Sequence, residues 1–202
     1  TAVLTCRLRL PCLNATGNAA MAIVVVLMCA VPALWVMLTF NRLVRLRNQS
    51  RTAWADIDVQ LQRRHDLVPR LVEVVKGYAA HERATLAAVT ELRAQAQSAH
   101  GAAVQGQAEG ALSQALGRLI ALREAYPELK ANRNFAQLSA ALVEVEDHLQ
   151  YARRFYNGAV RDFNDGIQRF PAMLIAGAFG FRSAEFFQTE EGSQQAPTVE
   201  LE

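Results

Sequence analysis

The sequence predicts an all-α protein: an N-terminal transmembrane helix followed by an elongated antiparallel helical bundle with coiled-coil-like seams. Three observations carry this. A run of 22 residues from Ala19 to Phe40 holds no charge. Two long stretches beyond it repeat apolar residues at alternating steps of three and four, the spacing of helices packed side by side. The third is composition: among 202 residues, 51% are apolar but only 11 are Gly and six Pro, too few for a loop-rich or all-β chain.

The uncharged run comes first. As a helix its 22 residues would reach about 33 Å, enough to cross a hydrocarbon core of ~30 Å. Pro32 is tolerable inside a membrane helix. Trp35 and Phe40 sit towards the charged end, where aromatic rings favour the interface. The run is longer than the core of a cleaved signal and ends without a small-x-small site, so it reads as a retained anchor, residues 19–40. Residues 1–18 form an extension to which no structure or function is assigned, and Met21 is a possible start. Arg42, Arg45, Arg47 and Arg51 follow the run, against Arg7 and Arg9 before it. Cations stay inside, so the expected topology is a single pass through the bacterial inner membrane with the C-terminal domain cytoplasmic.

Residues 41–187 read as the bundle. Trp54, Ile57, Leu61, Val68, Leu71, Val75, Tyr78, Val89, Leu92 and Ala96 share one seam, on which Arg64, Glu82 and Thr85 also fall. Pro69 lies in the pattern without shifting its phase. It marks either a kink in a continuous helix or the first turn of a second helix, at which the chain would reverse. His100 to Gly110, with three Gly in eleven residues, is the first expected break. A short helix with Leu112, Leu116, Leu119, Leu122 and Tyr126 on one stripe follows and ends at Pro127. A second long helix spans about Asn134 to Phe170. Its seam is Phe135, Leu138, Leu142, Val145, Leu149, Ala152, Tyr156, Ala159, Phe163 and Phe170, and Pro171 stops it. Residues 188–202 carry four Glu and no Lys or Arg, and read as an acidic, disordered tail.

Little chemistry is visible. The net charge of +2 argues against nucleic acid. His81-Glu82 starts like a zinc-protease motif but has Thr85 where a second His is needed. Glu144 and His148, four apart, lack the Glu-x-x-His pairs of a di-iron bundle. No phosphate-cradling Gly loop and no Ser/His/Asp set stand out. No catalytic residue, metal ligand or cofactor is therefore assigned. The charged cluster Arg63, Arg64, His65 and Asp66 is more informative. Arg64 falls on the apolar seam, where an unpaired charge would cost several kcal/mol, so it must meet a carboxylate of another helix or a partner protein. Asn157 and Asn164, one heptad apart, suit hydrogen bonds to a neighbour, within the chain or in a second subunit.

Four segments closely resemble the LemA family of bacterial membrane proteins. They are IDVQLQRRHDLVPRLVEVVKGYAAHE (Ile57 to Glu82), AYPELKANRNFAQL (Ala125 to Leu138), YNGAVRDFNDGIQRFP (Tyr156 to Pro171) and FPAMLIAGAFGF (Phe170 to Phe181). The resemblance runs from about Phe40 to Phe187. It implies a single-pass membrane protein with a mostly antiparallel helical domain and no established enzymatic activity. It also implies a setting of envelope stress response and quality control, since genes of this kind often adjoin those of HtpX-type membrane zinc proteases. The function expected is thus a non-enzymatic scaffold or adaptor, with the bilayer, another membrane protein such as that protease, or a second copy as partner. The alternative is a metal-binding or enzymatic bundle using His and carboxylate residues. FPAMLIAGAFGF is a further expected interface, with Leu174, Phe179 and Phe181 as its apolar residues. Too short to cross a bilayer, it would be buried under the bundle's end, in the membrane surface, or against another protein.

Overall fold

A computed structural model describes residues 12–188; the N-terminal extension up to residue 11 and the acidic tail from 189 lie outside the described residues. Six α-helices make up almost all of it: α1 (Cys12–Tyr78), α2 (Arg83–Ser98), α3 (Ala102–Ala121), α4 (Pro127–Ala131), α5 (Arg133–Gln168) and α6 (Ala172–Ala178). No strand occurs among the described residues.

The first helix is unbroken from the apolar run into the bundle. Its 67 residues correspond to roughly 100 Å. Ile23, Val26, Met28, Val31 and Leu34 are exposed, as lipid contact requires of a spanning segment. Of the two readings of Pro69, continuity is the one found: the ring is exposed and α1 passes through it to Tyr78. The chain reverses later, at Ala79–Glu82, where the Glu82 amide closes a turn on the Ala79 carbonyl at 3.0 Å. This corrects the single seam drawn from Trp54 to Ala96. Two antiparallel helices share it, because the four-residue connection preserves the seven-residue phase.

From that turn α2 runs back along α1, α3 returns, and the 36 residues of α5 run back along α1 from its Tyr78 end to the level of Leu43, next to the apolar run. The distal half is thus a four-helix bundle and the proximal half a pair. Three clusters fill the seam. Val68, Leu71, Val75, Val89, Leu112, Leu119 and Leu142 pack at the distal end. Ile57, Leu61, Leu149, Tyr156 and Phe187 lie in the middle. Leu43, Phe163, Ile167 and Ile175 pack near the bilayer. Ile167 takes the place expected for Phe170, which is 79% exposed.

Two punctuation signals fall differently from expectation. His100 to Gly110 is mostly helical: the break is confined to Ala99, His100 and Gly101, the last at φ +91°, and α3 begins at Ala102. Pro127 opens α4 as its first residue rather than only closing the helix before it, since proline lacks only an amide that the first turn leaves unbonded anyway. Asn132 then caps α5, its Oδ1 accepting from the Phe135 amide at 3.0 Å, while its Nδ2 donates to the Tyr78 hydroxyl at 2.8 Å. The cap thereby ties the start of α5 to the end of α1.

Candidate functional site

One layer of the bundle is charged. Arg64 on α1 sits between the buried Leu61 and Val68 and is itself 3% exposed. Its guanidinium donates to Glu109 Oε2 on α3 at 3.1 Å and to Ser113 Oγ at 2.5 Å. It also lies 3.3 Å from Glu146 Oε2 on α5. His65 Nε2 meets the other Glu109 oxygen at 2.7 Å. Arg153, two turns further along the inner side of α5, stands 3.7 Å from Glu146 Oε1. Its Nε and second terminal nitrogen find no hydrogen-bond partner among the described residues. The group stacks instead over the Phe187 ring, 5.0 Å from the centroid. Burial lowers the Arg153 pKa first, with the Glu146 carboxylate opposing; arginine stays charged regardless. Two guanidinium groups thus face two carboxylates across three helices. Arg93 on α2 adds the fourth helix, donating to the His65 carbonyl at 2.7 Å.

Chemically this layer is a lock. A sliding or rotating helix would strand Glu109, which is 0% exposed, and an unpaired buried charge is far costlier than a lost apolar contact. It is not arranged as a nucleophile and base. His65 Nε2 is engaged by Glu109, and Ser113 bonds Arg64 and approaches Glu146 at 3.5 Å. Among the described residues no three His, Cys, Asp or Glu side chains gather as metal ligands would.

The outer members of the predicted cluster point elsewhere. Arg63 is half-exposed and pairs loosely with Glu144 at 3.6 Å. Asp66 is exposed and accepts from Gln62 at 3.1 Å.

Asn157 and Asn164 hold an extended strap, residues 181–188, against α5. Asn164 donates to the Ala184 carbonyl at 3.0 Å and accepts from its amide at 2.9 Å. Asn157 does the same to Phe187, at 3.1 and 2.9 Å. The spacing explains the heptad: seven helical residues advance about 10.5 Å, and three extended residues about 10 Å. Tyr156 adds a bond from its hydroxyl to the Glu185 carbonyl at 2.8 Å. Phe187 is buried, with its ring centroid 6.1 Å from that of Trp54. Gln188 then lays its backbone on Gly106 so closely that any Cβ there would collide with it.

Upstream of the strap, α6 closes with Gly180 at φ +70°, the Phe181 amide reaching back to the Ala176 carbonyl at 2.9 Å. This bonding pattern terminates a helix and redirects the chain. Ile175 and Ala176 are buried against Val36 and Phe40 of α1. Phe181 is half-buried beneath the Arg47 guanidinium, whereas Leu174 and Phe179 are 62% and 58% exposed. The last helix therefore returns to the end of the bundle nearest the apolar run, beside a straight α1.

The LemA family model matches residues 53–201, the span that contains the charged layer, both asparagines and the strap. The chain belongs to the LemA family. Magnetosome protein MamQ 2 of Paramagnetospirillum magneticum is 26% identical over 190 residues, covering 81% of this chain and 69% of that protein. Protein LemA of Metamycoplasma hominis is 25% identical over 152 residues, covering 75% of the chain and 69% of its own length. This LemA-family chain is thus a helical protein with, among the described residues, one helix long and apolar enough to cross a membrane.

Sequence reasoning missed Glu109, Ser113, Glu146, Arg153 and Phe187. A signal existed for the first. Extending the Leu112–Leu116–Leu119 stripe back one turn lands on Glu109, but the glycines around it read as a break. Glu146 lies between the exposed Glu144 and His148 in an acidic stretch that hides it, although it follows the seam residue Val145 and turns inward.

Proposed function

We propose that this LemA-family protein is a non-enzymatic membrane-anchored scaffold or adaptor. Its bundle stands on the cytoplasmic side of the inner membrane and offers its flank and tip to another membrane protein, a membrane protease of envelope quality control being the partner the family resemblance implies. The observation that carries this is mechanical. A single helix continues from the apolar run to Tyr78, and the charged layer locks it to three others. From Phe40 to Tyr78 that rod measures about 57 Å. Such a rod transmits position rather than chemistry, which is what an adaptor needs. The inward bias of Arg42, Arg45, Arg47 and Arg51 supports the cytoplasmic side.

Photocrosslinkers placed on exposed Val59 and Val143 in the native membrane, followed by mass spectrometry, test the reading. Reproducible capture of one membrane protein is the expected outcome, with a cytoplasm-dependent reporter after Glu202 active. Stoichiometric metal or substrate turnover by the purified full chain would replace the adaptor with the enzymatic or metal-binding alternative.

A further inference from the structure

The geometry points to a second membrane contact: the α6 turn dips into the headgroup–acyl boundary of the leaflet through which α1 leaves, and the arginines above it bind anionic lipid phosphates. The inference rests on α1 being the anchor, and it is independent of any adaptor role.

Depth is set by packing. The rings of Phe179 and Phe181 lie 4.8 and 5.8 Å from that of Phe40, the last residue of the uncharged run. Ile175 and Ala176 pack with Val36, further inside that run. Phe170, Pro171 and Ala172 share a recess of about 180 Å³ with Trp35, Thr39 and Arg42. The turn therefore stands at the level where a membrane helix passes from hydrocarbon to headgroups.

Exposure follows. Phe170, Met173, Leu174 and Phe179 are 79%, 49%, 62% and 58% exposed, and the segment Phe170 to Phe181 carries no charge. Trp35, which lines the same recess as Phe170, joins this surface to α1, where Met37 and Leu38 are also exposed. A soluble protein rarely leaves such a patch in water, and an apolar patch joined to a lipid-facing helix has its occupant already beside it. Charge completes the match. Arg42 and Arg45 on α1, with Arg169 before α6, lie just on the headgroup side, Arg51 and Arg182 further above, and all five are exposed. Apolar residues below and guanidinium groups above are the arrangement of interfacial segments on anionic lipid. The strap, pinned by Asn157 and Asn164, fixes the height of α6 from its far side. The bundle is thus held upright on the bilayer by two contacts.

The test uses the full chain with Cys6, Cys12 and Cys29 replaced by Ser and one cysteine added for an environment-sensitive fluorophore. It is reconstituted in vesicles of phosphatidylcholine and phosphatidylglycerol with brominated acyl chains. A label at Leu27→Cys reports insertion of the anchor, and one at Val143→Cys reports water. A label at Leu174→Cys is expected to be quenched several-fold more than at Val143→Cys and to emit at shorter wavelength. Quenching equal to that at Val143→Cys, with Leu27→Cys strongly quenched, overturns the contact while leaving the anchor intact. Exchanging phosphatidylglycerol for phosphatidylcholine should weaken quenching at Leu174→Cys and leave Leu27→Cys unchanged; indifference to the exchange overturns the arginine component. Leu174→Asp, monitored through a label at Met173→Cys, should abolish quenching at an unchanged melting temperature. A lowered melting temperature would make Leu174 a cap on the bundle instead. Leu174→Cys emission that depends on protein-to-lipid ratio rather than on brominated lipid would assign the patch to a second copy, overturning the proposal.

Discussion

Arg64 and Glu109 show what a single sequence discloses about a buried charge. The arginine was visible because the seam residues Ile57 and Leu61 before it and Val68 and Leu71 after it fixed its phase. That an inward cation needs an anion follows from desolvation, but which anion could not be read 45 residues away, in a segment whose glycines disguised a helix. The pairing makes a sharp prediction. Glu109→Gln takes from Arg64 the fully buried one of its two carboxylates and should cost about 3 to 5 kcal/mol in denaturation of the full chain. Glu124→Gln, whose exposed carboxylate meets Arg123 and Lys130, should cost far less, because solvent screens that pair. Removing charge from both sides, with Arg64→Met and Glu109→Leu together, should recover most of the loss, since a paired apolar replacement strands fewer groups. Equal costs for Glu109→Gln and Glu124→Gln would mean that the layer is wetter than its burial implies.

The helices α1 and α5 were legible as elements because their seams are long and interrupted by few polar residues; the connections were not. The turn at Ala79–Glu82 keeps the apolar phase, so periodicity passes over it silently. The strap has no periodicity, and its anchor Phe187 stands at the end of an otherwise unremarkable run. What could be read was its receptor: Asn157 and Asn164, each after an aromatic residue, at a spacing that matches three extended residues. Asn157→Ala with Asn164→Ala should therefore release residues 183–188, seen as amide exchange accelerated by at least about tenfold there, while α5 amides such as that of Leu149 remain protected. Unchanged exchange in the strap would show that Phe187 packing alone retains it.

Tyr156 gives the same element a pH dependence. Burial raises its phenol pKa first and the neighbouring Glu185 carboxylate raises it further. The unfolded chain then releases this proton first, near the ordinary value of about 10. The stabilisation is fully present below that pH and is lost as pH rises through the higher folded value. Alkaline titration should free the strap in the native chain, detected by the same exchange, and Tyr156→Phe should remove the dependence.

For the whole molecule the decisive feature is that α1 does not stop at Pro69. Proline in a helix removes one hydrogen bond and crowds the preceding turn, at a cost of about 3 kcal/mol in an isolated helix. Here the flanking residues Val68 and Leu71 are fully buried against three other helices, and the ring itself faces solvent, so packing outweighs the local penalty. Sequence pattern alone could not weigh these two terms. The outcome fixes both the height of the tip above the bilayer and the path by which α5 comes back to it. Spin labels at exposed Asp58→Cys and Lys76→Cys distinguish the cases by pulsed-dipolar distance measurement in lipid nanodiscs. A continuous helix separates these positions by 18 residues, about 27 Å between backbones. A reversal at Pro69 would leave them about four residues apart along the axis on adjacent helices, roughly 12 Å at ordinary interaxial spacing. One narrow distribution near the longer value is expected, unchanged by Pro69→Ala, because the ring sits on the outside of a helix that tertiary packing already holds straight.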